Sequence, residues 1–148
     1  MARRPDQVHK SVKETLEDLL KGHREAAFSG PESALKYLRR TLEGQASLPN
    51  AVKAVAYDFV ADAEAQLQHW DAADEAVKQV LIHLPAMEQD LGHGYRTRLE
   101  TMTCFERGIQ ARSESGDFHG ALELCERAIE LKLGAHYTAK RDSLDWAR

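Results

Sequence analysis

SGDFHGALELCERAIEL, residues 115–131, decides the fold. Gly116 and Asp117 break a preceding helical pattern, and the Asp117 carboxylate can accept an orphan N–H in the first turn of a new helix. Phe118, Ala121, Leu122, Cys125, Ala128, Ile129 and Leu131 then recur at three- and four-residue spacing, which puts one apolar stripe on an amphipathic helix. Ala121 and Ala128 lie two turns apart on the same side, where small residues let a neighbouring helix come close. Glu123, Glu126, Arg127, Glu130 and Lys132 fall mostly on the other side, and Gly134 ends the run.

Working outward, the same hairpin pattern recurs. From about Val8 an apolar stripe runs through Val12, Leu16, Leu19 and Leu20 to Gly22, Ala26 and Ala27. Ser29-Gly30-Pro31 stops it, and Pro31 suits the first position of the next helix, where its missing N–H is not needed. That helix carries Ala34, Leu35, Leu38 and Leu42 and ends near Gly44. After a linker, Gln45 to Pro49, Asn50 is a candidate cap for a third helix over 51–68, with Tyr57, Val60, Ala61 and Leu67 inward. His69-Trp70-Asp71 makes the next turn, and the following helix ends at Leu84-Pro85. Residues 86–94 read as a loose connection, and 95–114 as one long helix carrying Tyr95, Leu99, Met102, Phe105 and Ile109. The last segment, 135–147, reads as a terminal helix that covers the final hairpin with Tyr137, Leu144 and Trp146.

Gly-Asp-aromatic-x-x-Ala, with a further Ala seven residues on, resembles the tetratricopeptide repeat (TPR). Tyr57, Ala61, Trp70, Ala73 and Pro85 fall where that family places an aromatic, a small residue, an aromatic, a small residue and a helix-ending proline, while Gly22 and Ala34 match its two small positions. In the last repeat Ile109 holds the small position and Gly108 is one residue off. The marker alanines Ala34, Ala73 and Ala121 stand 39 and 48 residues apart, against about 34 in an ideal repeat. The resemblance implies an all-α fold over residues 1–148 as a single domain: a right-handed α-α superhelix of three TPR-like hairpins, about 8–44, 50–85 and 95–132, with a C-terminal capping helix.

Composition restricts the function. The chain has 148 residues, enough for a sizeable core, and 24 acids against 20 Lys plus Arg give a net charge of -4. That charge supplies no general basic field for nucleic acid. No apolar run reaches the roughly 18 residues of a membrane span, and the start, MARRPDQVHK, lacks the apolar stretch of a secretory signal. Cys104 and Cys125 form neither a disulfide framework nor a zinc pattern and read as buried thiols in a reducing cytoplasm.

Chemistry is sparse. The seven histidines include no HExxH and no pair four apart on one helix. Only His69 and His119, both at turns, could converge, which leaves a small metal-dependent enzyme as the alternative from another class. The carboxylate pairs Glu14/Asp18, Asp58/Asp62 and Glu123/Glu126 read as solvated helix faces. No catalytic residue, metal ligand or cofactor is expected.

The resemblance instead implies a cytoplasmic, non-enzymatic adaptor, of bacterial type, that binds a peptide or helix of a partner protein in a concave groove. The groove would be lined by Leu16, Leu19 and His23, by Val55, Asp58, Asp62 and Gln66, and by Thr103, Glu106, Gln110 and Glu114. Its apolar end (Leu16, Leu19) and acidic end (Asp58, Asp62, Glu106) would suit a partner with an apolar anchor and basic residues. TPR proteins that clamp acidic chaperone tails present Lys and Asn there, so this chain departs from that group. A TPR-type secretion chaperone is a further alternative, and a homodimer through a terminal hairpin is compatible with the pattern.

Overall fold

Helix-forming composition and punctuation by turn residues give an all-helical chain. The computed structural model describes residues 11–44 and 47–147, and among them there is no strand. The elements are α1 (Val12–Ala27), α2 (Pro31–Gly44), α3 (Asn50–Gln66), α4 (Trp70–Leu91), a 3-10 turn (Gly92–Gly94), α5 (Tyr95–Thr101), α6 (Cys104–Glu114), α7 (Phe118–Glu130) and α8 (His136–Ala147). Consecutive helices pair as α1/α2, α3/α4, α6/α7 and α7/α8; α3 also packs on α1 and α2, and α6 on α3 and α4. One apolar cluster runs through all of them, from Leu16 in α1 to Leu144 in α8.

The small residues mark close approaches. Ala61, Ala73, Ala121 and Ala128 have no solvent exposure. A Cβ on Gly22 would overlap the Tyr37 ring and hydroxyl, and one on Gly108 would lie 2.6 Å from Leu124 Cδ1 and 2.9 Å from Val77 Cγ1. Gly108 is therefore the residue that lets α6 settle against α4 and α7, and Ile109 points into the core beside it, 2% exposed.

Local signals account for several ends. Ser11 accepts the Glu14 N–H and starts α1 at Val12; an earlier start near Val8 lies outside the described residues. Pro31 is the first residue of α2. Asp117 accepts the Gly120 N–H at 2.9 Å and starts α7. The turns after α3, α6 and α7 share one geometry. His69 N–H donates to Glu64 O, Asp117 N–H to Arg112 O and Leu133 N–H to Ala128 O, each after a left-handed residue: Gln68 (φ 60), Gly116 (φ 82) and Lys132 (φ 57). Gln68-His69-Trp70 is thus the counterpart of Gly116-Asp117-Phe118, one residue earlier than the sequence reading places it.

Three boundaries differ from expectation. Asn50 is the first residue of α3 and its side chain meets His83 Nδ1 at 3.1 Å; the Ala51 N–H is taken instead by Asp90 Oδ2 at 3.0 Å, from the far end of α4. Pro85 does not end α4, which continues to Leu91. An interior proline costs about 3 kcal/mol, but Leu84 and Met87 on either side are 3% and 0% exposed, and each such burial contributes about 1.5–3 kcal/mol. The segment 86–94 is therefore helix and a 3-10 turn, with no loose connection.

The expected helix 95–114 is broken at Met102-Thr103 into α5 and α6. Leu99 and Phe105, six residues apart, would stand about 120° apart around an unbroken helix, wider than a narrow contact stripe, and both are 2% exposed. The break lets both enter the same core. At the C-terminal end, Tyr137 and Leu144 pack as expected, but Trp146 is 90% exposed and covers nothing.

Two stability measurements follow. Replacing Pro85 by Ala should restore the N–H that α4 lacks and raise the urea unfolding free energy by about 1–3 kcal/mol; a decrease would mean that the proline shapes α4. Gln68→Gly should stabilise by about 0.5–1 kcal/mol, because the left-handed backbone no longer crowds a Cβ.

Candidate functional site

The residues expected to line a groove separate into two sets. Leu16, Leu19, Val55 and Asp58 are 7%, 2%, 1% and 3% exposed. They belong to the core, because α1, α3 and α6 press these faces on one another. A surface contact with a partner is closed to them in this structure, and the apolar end of the expected groove is absent with them.

The second set gathers on one face shared by α1, α3 and α6. The His23 ring lies parallel on Phe59, 3.7 Å between centroids, joining α1 to α3. Asp62 Oδ1 accepts from Arg107 Nε at 2.8 Å, joining α3 to α6, and Asp62 Oδ2 accepts from Gln66 Nε2 at 2.9 Å. Arg107 Nη1 also donates to Gln110 Oε1 at 2.9 Å. Gln66, Glu106, Gln110 and Glu114 are exposed. Burial holds the His23 imidazole below its ordinary pKa, and the nearby Asp62 charge works the other way.

This face continues into a cleft of about 470 Å³ between α6 and α8. Ile109, Tyr137 and Ala139 supply its apolar part; Glu106, His136, Lys140 and Ser143 supply its polar part. Glu106 and His136 stand 3.5 Å apart across it. Burial raises the Tyr137 phenol well above its ordinary range, and Glu106 adds to that. The Cys125 Sγ lies beneath, 3.0 Å from the Tyr137 carbonyl.

Asp58 occupies a different environment. The Thr103 N–H donates to its Oδ1 at 2.9 Å and its Oδ2 at 3.2 Å. A carboxylate from α3 thus caps α6 across 45 residues of sequence, while the Thr103 hydroxyl is buried without a hydrogen-bond partner. Burial lifts the Asp58 carboxyl to about 7, against the opposing pull of the Thr103 and Cys104 amides. Burial, and then the Asp58 charge, push the Cys104 thiol well up. The Asp58/Asp62 pair is therefore no solvated face: one member is buried and the other ion-paired.

The histidines at the turns stay with their own hairpins. His69 Nδ1 lies 3.6 Å from Glu64 and His119 Nε2 lies 3.2 Å from Glu123. Among the described residues no group of three His, Cys, Asp or Glu side chains is placed to hold a metal ion. Trp70 is half-buried against Ala65, Ala73 and Ala111, and Phe118 against the main core. No helix among the described residues is long and apolar enough to cross a membrane.

Sequence reasoning missed Phe59, Arg107, His136 and Tyr137 as members of this face. Thr103-x-x-Glu106 has the Ser/Thr-x-x-Glu spacing of a helix start and could have located the break. Nothing local marks Asp58 as its cap. No family model, curated protein or solved structure matches the chain.

His23 should titrate below pH 6.5 in a proton NMR titration of its ring. Phe59→Ala should open the ring to water and return the midpoint toward the ordinary value. An unchanged midpoint would place the burial elsewhere.

Proposed function

We propose that the chain is a non-enzymatic protein-interaction module, a TPR-like stack of three hairpins closed by α8, working in the cytoplasm. The packing order supports the stack: each new hairpin enters with its first helix against both helices of the hairpin before it. That order leaves α1, α3 and α6 side by side, and the partner lies along them.

The observation that carries the reading is the continuous face from His23 to the α6–α8 cleft. It joins the α6–α8 cleft to an acidic edge: Ala139 gives the cleft its exposed apolar surface above buried Ile109 and Tyr137, and Glu106 and Glu114 stand exposed along α6, facing His136 and Lys140 on α8. Asp58 is buried and Asp62 is engaged by Arg107, so of the expected acidic end Glu106 remains, joined by Glu114, as the charges that meet the partner. A peptide or amphipathic helix with one apolar anchor and neighbouring Lys or Arg residues fits that chemistry.

The test is capture of binding proteins by wild type beside a Glu106→Lys, Glu114→Lys variant and an Ala139→Trp variant that fills the cleft. A binder should lose about tenfold or more in affinity to either variant, with the charge variant's loss shrinking at high salt. Binders held equally by all three, or none at all, would overturn the reading.

A further inference from the structure

The cleft between α6 and α8 has two walls of different chemistry. On α6, Glu106, Gln110 and Glu114 follow one another at four-residue spacing, and all three are exposed. On α8, His136, Lys140 and Ser143 make the opposing row, also exposed. Helical spacing turns the acids of α8 away: Asp142 and Asp145 stand about 160° and 140° around the helix from Lys140, and neither lines the cleft. The floor between the walls is Ala139, above buried Ile109 and Tyr137.

Pairing within the cleft is uneven. Glu106 and His136, each in the first turn of its helix, bridge one end at 3.5 Å. Lys140, one turn further along α8, forms no ion pair among the described residues. A partner that brings only Lys or Arg answers the α6 wall and sets like charge against Lys140. A partner that also brings a carboxylate on the α8 side answers both walls.

We propose that the segment bound in this cleft is a charge-polarised helix. It carries one apolar anchor over Ala139, Lys or Arg on the flank that meets Glu106 and Glu114, and Asp or Glu on the flank that meets Lys140. This rests on the interaction-module reading above and adds the partner's charge pattern and its direction.

Direction follows from helix geometry. Around an anchor at position i, residues i−3 and i+4 lie on one flank and i−4 and i+3 on the other. Turning the helix end for end over the cleft exchanges the two flanks. A segment with bases on one flank and acids on the other therefore matches the two walls in one direction and opposes them in the reverse. A uniformly basic segment has no such preference.

Three short peptides, stapled on the outer face to hold them helical and sharing one Leu anchor, test this by fluorescence anisotropy with the full chain. The polarised peptide has Lys at i−3 and i+4 and Glu at i−4 and i+3. The basic peptide has Lys at all four positions, and the mixed peptide has Lys at i−4 and i−3 and Glu at i+3 and i+4. Wild type should hold the polarised peptide about threefold or more tighter than either of the others, with the difference shrinking at high salt. Lys140→Glu, a change at an exposed site, should invert the order of the polarised and basic peptides. Ala139→Trp should release all three. A spin label on the N-terminus of the polarised peptide should broaden amides at one end of α8 only, and exchanging its Lys and Glu residues should move the broadening to the other end. A basic peptide that binds wild type best would overturn the polarity while leaving the acidic-edge reading standing. Equal binding of the three, an unchanged order in Lys140→Glu, broadening at both ends, or binding of none would each overturn the inference, and the capture experiment would still judge the reading beneath it.

Discussion

A buried carboxylate at a helix start is the constraint on which the middle of the molecule turns. Leu99 and Phe105 both lie in the core, and the segment that carries them bends between them. A bend in a helix frees amide groups, and free amides inside a protein are costly unless something accepts them. Asp58 is the acceptor, delivered by α3 at the point where α3 and α6 touch. Asp58 is thus both part of the buried interior and the acceptor for the amide at the bend.

Other charged groups are used in the same way, as fasteners between helices. Asp62 and Arg107 tie α3 to α6. Asp74 and Arg112 tie α4 to α6 at 2.8 Å, and the same arginine reaches the Gly120 carbonyl in α7 at 2.9 Å. Arg96 in α5 holds the Leu131 and Lys132 carbonyls just past the end of α7. Glu64, 2% exposed, faces Arg39 on α2. Apolar burial brings the helices together without fixing their rotation, and these directional contacts select one arrangement.

What could be read from the sequence was what depends on neighbours in the chain. The stripe from Phe118 to Leu131, the cap at Asp117 and the start at Pro31 are local, and each appears as the residues dictate. Pro85 misleads because its cost is local while the gain from burying Leu84 and Met87 comes from other helices. Asn50 misleads because α3 already begins there, with Pro49 at the cap, and its side chain turns to His83, which is distant in sequence. Of the candidate site, the exposed members Gln66, Glu106, Gln110 and Glu114 were legible as surface, since helical spacing sets them outward. The burial of Asp58 was not legible, because an aspartate one turn from another looks like a wet surface until the opposing helix is in place.

The unequal spacing of the hairpins has a consequence for how the chain reaches this state. Arrays of near-identical units are prone to pairing with the wrong neighbour, within a chain or between chains. Here α4 overruns its proline and α5 is interposed before α6, so the interval between the last two marker alanines is 48 residues, against 39 for the pair before. Only α3 brings Asp58 to the turn before α6, and only α4 brings Asp90 to the start of α3. A hairpin that docked one place out of order would meet an uncapped helix end. Irregularity thus acts as an addressing system, giving each hairpin one position in which its neighbours complete it.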